Sequence, residues 1–183
     1  MKKLLVLTML VFSAFFIVNN FLPESELSDA AKSTTLPFKM AMLAAKEPET
    51  QIAMPLRAVK VKNIADTWQA PRSNERAHQG QDIFAPRGTP IYSATEGYVY
   101  RIGENALGGN TVWIAGAGGR YYYYAHLDKY AENLKPGDYV TTQTVVGYVG
   151  TTGNAKGTPP HLHFGVYTPT GAINPLPLLS DEK

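Results

Sequence analysis

His161 and His163 stand one residue apart in the stretch "GTPPHLHFGVY", and they are half of the four histidines in the chain. On a β-strand, side chains two residues apart project from the same face. Both imidazoles then look the same way, about 6.6 Å apart along the strand at ~3.3 Å per residue. Leu162 and Phe164 look the other way, toward a core. At that spacing one imidazole can bind a metal while its neighbour reaches water or substrate. A second pair lies upstream in "AHQGQDI", where His78 and Asp82 are four residues apart. That interval returns to one face of a helix or a strand, and Gly80 between them permits a close turn. Imidazole plus carboxylate is a normal pair of zinc ligands. The fourth histidine, His126, follows the tyrosine run in "YYYYAHL". A lone histidine in a β domain is most often a hydrogen-bonded surface or core residue, and a His-x-His pair alone is a weak sign of zinc. The joint pattern is the signal, since all four histidines fall in short apolar stretches. Spacing leaves open which of His161 and His163 takes the metal.

These residues need a scaffold of short strands. Gly (16), Pro (13) and Tyr (11) are plentiful, which favours strands and turns over helices. From about Met54 the chain alternates short apolar stretches with Gly/Pro punctuation. "PIYSATEGYVYRIG" reads as two short strands, and "NTVWIAG", "RYYYYAHL", "TVVGYVG" and "HLHFGVY" as one each. "GAGG", Gly116 to Gly119, is a hairpin turn, and "KPGD" and "TPTG" are further turns. The expected fold is all-β: a compact, barrel-like antiparallel domain over residues 54–179, with a tail at 180–183. In the "YYYY" run, tyrosines alternating between core and surface are the favoured reading, against two of them lining a substrate groove. Arg72, Arg76 and Arg87 read as solvated charges rather than carboxylate clamps.

Several of these stretches resemble the lysostaphin/LytM-type zinc metallopeptidases: "HQGQDIFAPRGTPIYSATEGYVY", "GGNTVWI", "YYYYAHLD", "LKPGDYVTTQTVVGYVGTTG" and "PPHLHFGVY", in order from about Trp68 to Leu179. The family's His-x-Gly-x-Asp and His-x-His motifs are both intact. The resemblance implies a lysostaphin-type antiparallel β fold, one zinc ion per chain in a groove, and hydrolysis of peptide cross-links in bacterial cell-wall peptidoglycan by zinc-activated water. It makes His78, Asp82 and His163 the zinc ligands and His126 and His161 the assisting catalytic pair. No substrate-binding residue is assigned. "WIAGAGGR" departs from the family's usual polar pattern, which implies an altered groove or turn. Some relatives cover their groove with an N-terminal segment, a role open here to Asn74 or its neighbours. Two other classes compete. Some relatives have lost their zinc ligands and act as wall-binding activators of other hydrolases, but here all five positions are filled. "EGYVYRIG" and "LKPGDYVTTQTVVGYVG" also resemble the hairpins of lipoyl/biotinyl carrier domains, but no lysine sits in a matching turn.

Composition excludes more than it selects. A formal charge of +2 over 183 residues is not the footprint of a nucleic-acid binder. With no cysteine, any metal must be held by nitrogen and oxygen. Met1-Lys2-Lys3 followed by the apolar run Leu4 to Val18 describes an export signal or a short membrane anchor over residues 1–22. Residues 23–53 read as a linker, with a short helix in "FKMAMLAAK", residues 38–46. The expected location is the cell envelope or periplasm, with membrane contact only through the N-terminal segment.

Overall fold

The computed structural model describes residues 35–71 and 77–181. The apolar run Leu4 to Val18, the first part of the expected linker (residues 23–34), and Arg72, Asn74 and Arg76 lie outside them. Among the described residues no helix is long and apolar enough to cross a membrane. Contacts divide the chain into Met1–Lys39 and Met40–Lys183, and the β-structure lies in the second unit. A helix covers 35–44, three residues upstream of the expected start.

Among the described residues eleven strands follow: β1 Ile52–Ala53, β2 Gln81–Phe84, β3 Pro90–Tyr92, β4 Gly97–Asn105, β5 Gly109–Ala115, β6 Tyr121–Tyr130, β7 Tyr139–Val140, β8 Val145–Val149, β9 His161–Thr168, β10 Gly171–Ile173 and β11 Leu179–Ser180. Nine of them form one antiparallel sheet with the path β10-β9-β6-β5-β4-β7, while β2 joins β9, β8 joins β6 and β3 joins β8. The predicted strands correspond to β3, β4, β5, β6, β8 and β9. Gly118 and Gly119, with φ of +67° and +68°, turn β5 into β6. Only glycine enters that region without steric cost, which is why the turn reads so clearly in sequence.

A further strand pair lies at and just beyond the expected domain bounds of 54 and 179. β1 pairs in parallel with β11, Ile52 opposite Leu179 and Ala53 opposite Ser180, and Ile52 is fully buried. Two residues per strand are too few to show a period, so the pair is invisible until the ends of the domain meet.

One face of the sheet builds the core. Val112 and Ile114 of β5, Tyr122 and Tyr124 of β6, and Leu162, Phe164 and Val166 of β9 are all fully buried on it. Burying a Leu or Phe stabilises by about 1.5–3 kcal/mol, so a one-residue slip in register is strongly disfavoured. The opposite face carries Trp113, Tyr121, Tyr123, Ala125, His163 and Tyr167, which the register sets side by side across β5, β6 and β9. The tyrosine run therefore alternates as expected, with Tyr122 and Tyr124 inward.

That alternation predicts that His126 should follow Tyr124 into the core. It does not, because β6 carries a bulge. Asn110 pairs with Leu127 and Val112 with Tyr124, so Ala125 and His126 together oppose Thr111 alone. His126 takes φ +64° and donates its backbone N–H to the Gly108 carbonyl, 2.7 Å away. The extra residue resets the phase: Leu127 returns to the core and His126 turns to the other face.

Candidate metal centre and active site

Three adjacent strands deliver four of the five expected residues. Asp82 on β2 lies directly opposite His163 on β9, and His163 lies opposite Ala125 on β6, one residue before His126. His161 pairs with Phe84 at the start of β9. His78 lies outside β2 and reaches Asp82 around the turn that Gly80 allows. Its Nε2 is 3.0 Å from Asp82 Oδ1 and 2.8 Å from His163 Nδ1, and His163 Nδ1 is 3.1 Å from Asp82 Oδ1. His161 Nε2 stays 3.9 Å from the same carboxylate oxygen. The closed triangle thus contains His78, Asp82 and His163, and His161 sits beside it. Of the two histidines whose metal role spacing left open, His163 is the one within the triangle.

The chemistry of the triangle fits a cation. His78 Nδ1 lies 2.6 Å from the Thr67 carbonyl, which can only accept, so Nδ1 carries the proton and Nε2 presents a lone pair. That lone pair faces a carboxylate oxygen. A proton on His163 Nδ1 serves one of these two acceptors and leaves them facing each other. A divalent cation satisfies all three. Zinc bonds of ~2.0–2.1 Å at tetrahedral angles put ligand atoms ~3.3 Å apart, close to the separations here. Three protein ligands leave one coordination position for water or substrate.

His126 and His161 flank this triangle, their rings 5.0 Å apart at 63°. His126 is 5.8 Å from the His163 ring. Each gives its Nδ1 proton to a backbone carbonyl: His126 to Thr152 at 2.9 Å, His161 to Pro159 at 2.9 Å. Each therefore keeps an Nε2 lone pair. Burial, with the neighbouring His163 and His161, lowers the His126 pKa to about 4. It is neutral at pH 7 and available as a proton acceptor. A bound cation acts in the same direction. The Thr152 carbonyl is held by contact between two loops: the Thr152 hydroxyl donates to Leu127 O at 2.9 Å and accepts from Asn110 N at 3.0 Å. A Cβ on Gly109 or Gly153 would come within 2.3 Å of the other's backbone nitrogen, so the loops meet only as glycine on glycine.

Gly80 is needed for space rather than for an unusual φ. A Cβ there would lie 2.5 Å from His163 Cε1, 2.6 Å from His163 Nε2 and 2.9 Å from the Phe164 carbonyl. The His163 ring rests on the bare Cα. Gly80→Ala is therefore expected to keep the fold but push His163 off its position. Zinc titration against a competing chelator should show at least a tenfold loss of affinity, with unchanged far-UV circular dichroism.

The sequence reading left the substrate surface and the segment before His78 unassigned. Trp113, from the stretch that departs from the family pattern, packs on Tyr123 at 4.3 Å and on Tyr167 at 5.2 Å. Tyr123 meets the His163 ring edge-on at 5.9 Å. The altered stretch thus sets aromatic rings on the sheet beside the triangle, Tyr123 among them. Arg87 donates to Asp128 from its Nε at 2.7 Å and is not a free clamp. Thr67, in an irregular segment with no motif, touches both His78 and Asp82.

Comparison with known proteins agrees with this architecture. Residues 76–175 match the model of peptidase family M23. The chain is 37% identical over 126 residues to an L-Ala–D-Glu endopeptidase of Bacillus subtilis, covering 65% of this chain and 39% of that protein. It is 32% identical over 130 residues to the DD-carboxypeptidase/endopeptidase Mpg of Neisseria meningitidis, covering 69% and 26%. The chain thus spans well under half the length of these relatives. Among solved structures, it superposes on the catalytic domain of lysostaphin from Staphylococcus simulans with a TM-score of 0.56 and 31% identity, covering 64% of this chain and 92% of that one. Csd3 of Helicobacter pylori gives 0.58 and 33%, covering 72% and 35%. With a model match over more than half its length and a triangle of donors shaped for a metal, the chain belongs to peptidase family M23.

Proposed function

We propose that the chain is a zinc-dependent endopeptidase that hydrolyses peptide cross-links of bacterial cell-wall peptidoglycan, exported to the cell envelope. The observation that carries this reading is the triangle of His78 Nε2, Asp82 Oδ1 and His163 Nδ1, closed to within 3.1 Å, with two proton-accepting histidines beside it. A Vibrio cholerae relative named as a peptidoglycan DD-endopeptidase, 37% identical over 89 residues, supports the substrate class.

When bound, zinc supplies Lewis acidity, activating water at neutral pH and polarising the scissile carbonyl. The protein's own part is to place protons. His126 and His161 are locked by Thr152 and Pro159 into the tautomer with Nε2 free. One takes the proton from the attacking water. A histidine that has gained a proton at Nε2 can then donate it, to the charge that develops on the carbonyl oxygen or to the leaving amine. His126 suits the accepting role because its burial keeps it neutral across the working range.

The test uses the purified chain and isolated peptidoglycan, following newly freed amines. Zinc near one per chain and amine release that a chelator stops are the expected results. Folded protein that takes up zinc but releases no amine from several wall types would overturn the catalytic reading.

A further inference from the structure

We propose that Gln81 is a positioning residue: its buried amide holds the 65–67 segment so that Thr67 orients both His78 and Asp82. The proposal rests on the reading of His78 and Asp82 as metal ligands.

Gln81 has no exposed surface. A buried amide is costly unless its donors and acceptor are used. Here they are used mainly on one short stretch of backbone, with a further, longer contact from Nε2 to the Asp82 carbonyl at 3.4 Å. Its Nε2 donates to the Ala65 carbonyl at 2.5 Å, and its Oε1 accepts from Thr67 N at 3.3 Å. A side-chain amide carries the same donor and acceptor pair as a peptide group. Gln81 thus does for residues 65–67 what a neighbouring strand would do.

That stretch covers an edge. Among the described residues β2 has β9 as its strand partner, and its other side faces this stretch in place of a second strand. Asp82 N donates to the Thr67 hydroxyl at 2.9 Å. All three polar groups of Thr67 are therefore engaged: N–H by Gln81, carbonyl by His78 Nδ1, hydroxyl by the Asp82 backbone. The His78 backbone is tied to the same segment through Gln69 and Ala70. The Thr67 carbonyl fixes the His78 tautomer, and that tautomer decides whether Nε2 can bind a cation. Thr67 thus ties the two first-motif ligands to a common point outside the triangle. An apolar residue of similar volume at 81 would fill the space. It would leave Ala65 O and Thr67 N without partners and free the Thr67 carbonyl to move.

The variants are Gln81→Leu, Thr67→Val and Thr67→Ser, in the full chain. Three readouts are taken: zinc affinity against a chelator, the nitrogen NMR signals of the His78 ring without metal, and melting temperature with chelator present. Gln81→Leu and Thr67→Val are expected to weaken zinc binding about 10- to 100-fold, as outer contacts of a metal site do. Gln81→Leu should mix the His78 tautomers, and Thr67→Ser should restore near-parental affinity. Gln81→Leu protein that melts lower but keeps its zinc affinity within twofold and a single His78 tautomer would overturn the proposal, because Gln81 would then be structural only. If the parent takes up no zinc, the metal reading fails by itself. The His78 signals still decide the positioning: mixed tautomers in Gln81→Leu support it, and a single unchanged tautomer refutes it.

Discussion

His163→Ala is expected to lose zinc and peptidase activity together. The loss of affinity should exceed the ~10- to 100-fold that outer contacts contribute, because the change removes one of three ligands from the triangle. The reason is geometric. His163 Nδ1 lies within 3.1 Å of both other donor atoms, and no spare nitrogen of its partner in the pair replaces it: the His161 ring is anchored by its Nδ1 on the Pro159 carbonyl, and its Nε2 stays 3.9 Å from Asp82 Oδ1. Metal analysis after dialysis, beside an amine-release assay, checks both halves. A variant that keeps one zinc per chain would show that His161 can swing in, and the division of labour in the His-x-His pair would have to be reversed.

His126→Ala is expected to do the opposite to the metal and nearly the same to the activity. Its ring is 5.8 Å from that of His163 and lies outside the triangle, so zinc should bind as before. Turnover should fall about 10²- to 10⁴-fold, the usual contribution of a positioned proton acceptor. The effect should appear in kcat, with KM for a cross-link peptide little changed. Near-normal turnover with zinc bound would remove His126 from the proton pathway and leave His161 to carry it alone. Together the two variants separate holding the metal from using it.

How far sequence led to this site depends on the residue. His161 and His163 share a face because strand period is two, and β9 obeys it. Asp82 opposite His163 needs the pairing of β2 with β9, and β2 is four residues long, too short to announce itself beside a motif. His126 is the instructive case. The period of β6 sends it into the core, and only a bulge, which no local composition encodes, sends it out. The motif glycine was noticed for backbone freedom, but the structure uses it for clearance beneath a ring. Thr67 and Gln81 carry no motif. Their part comes from hydrogen bonds between segments that fold together, and single-residue patterns hold no record of those. The strand pair β1–β11 escaped for the same reason, its two halves being 127 residues apart between Ile52 and Leu179.

The bulge in β6 makes local strand pairing, and not residue identity alone, decide what faces the triangle. A chain with the same number of residues from Tyr122 to Leu127, but with β6 paired regularly past Val112, would point its residue 126 into the core and turn residue 127 out of it. It could keep all four histidines and the aspartate, align without a mismatch at any of them, and still lack the fourth imidazole beside the triangle.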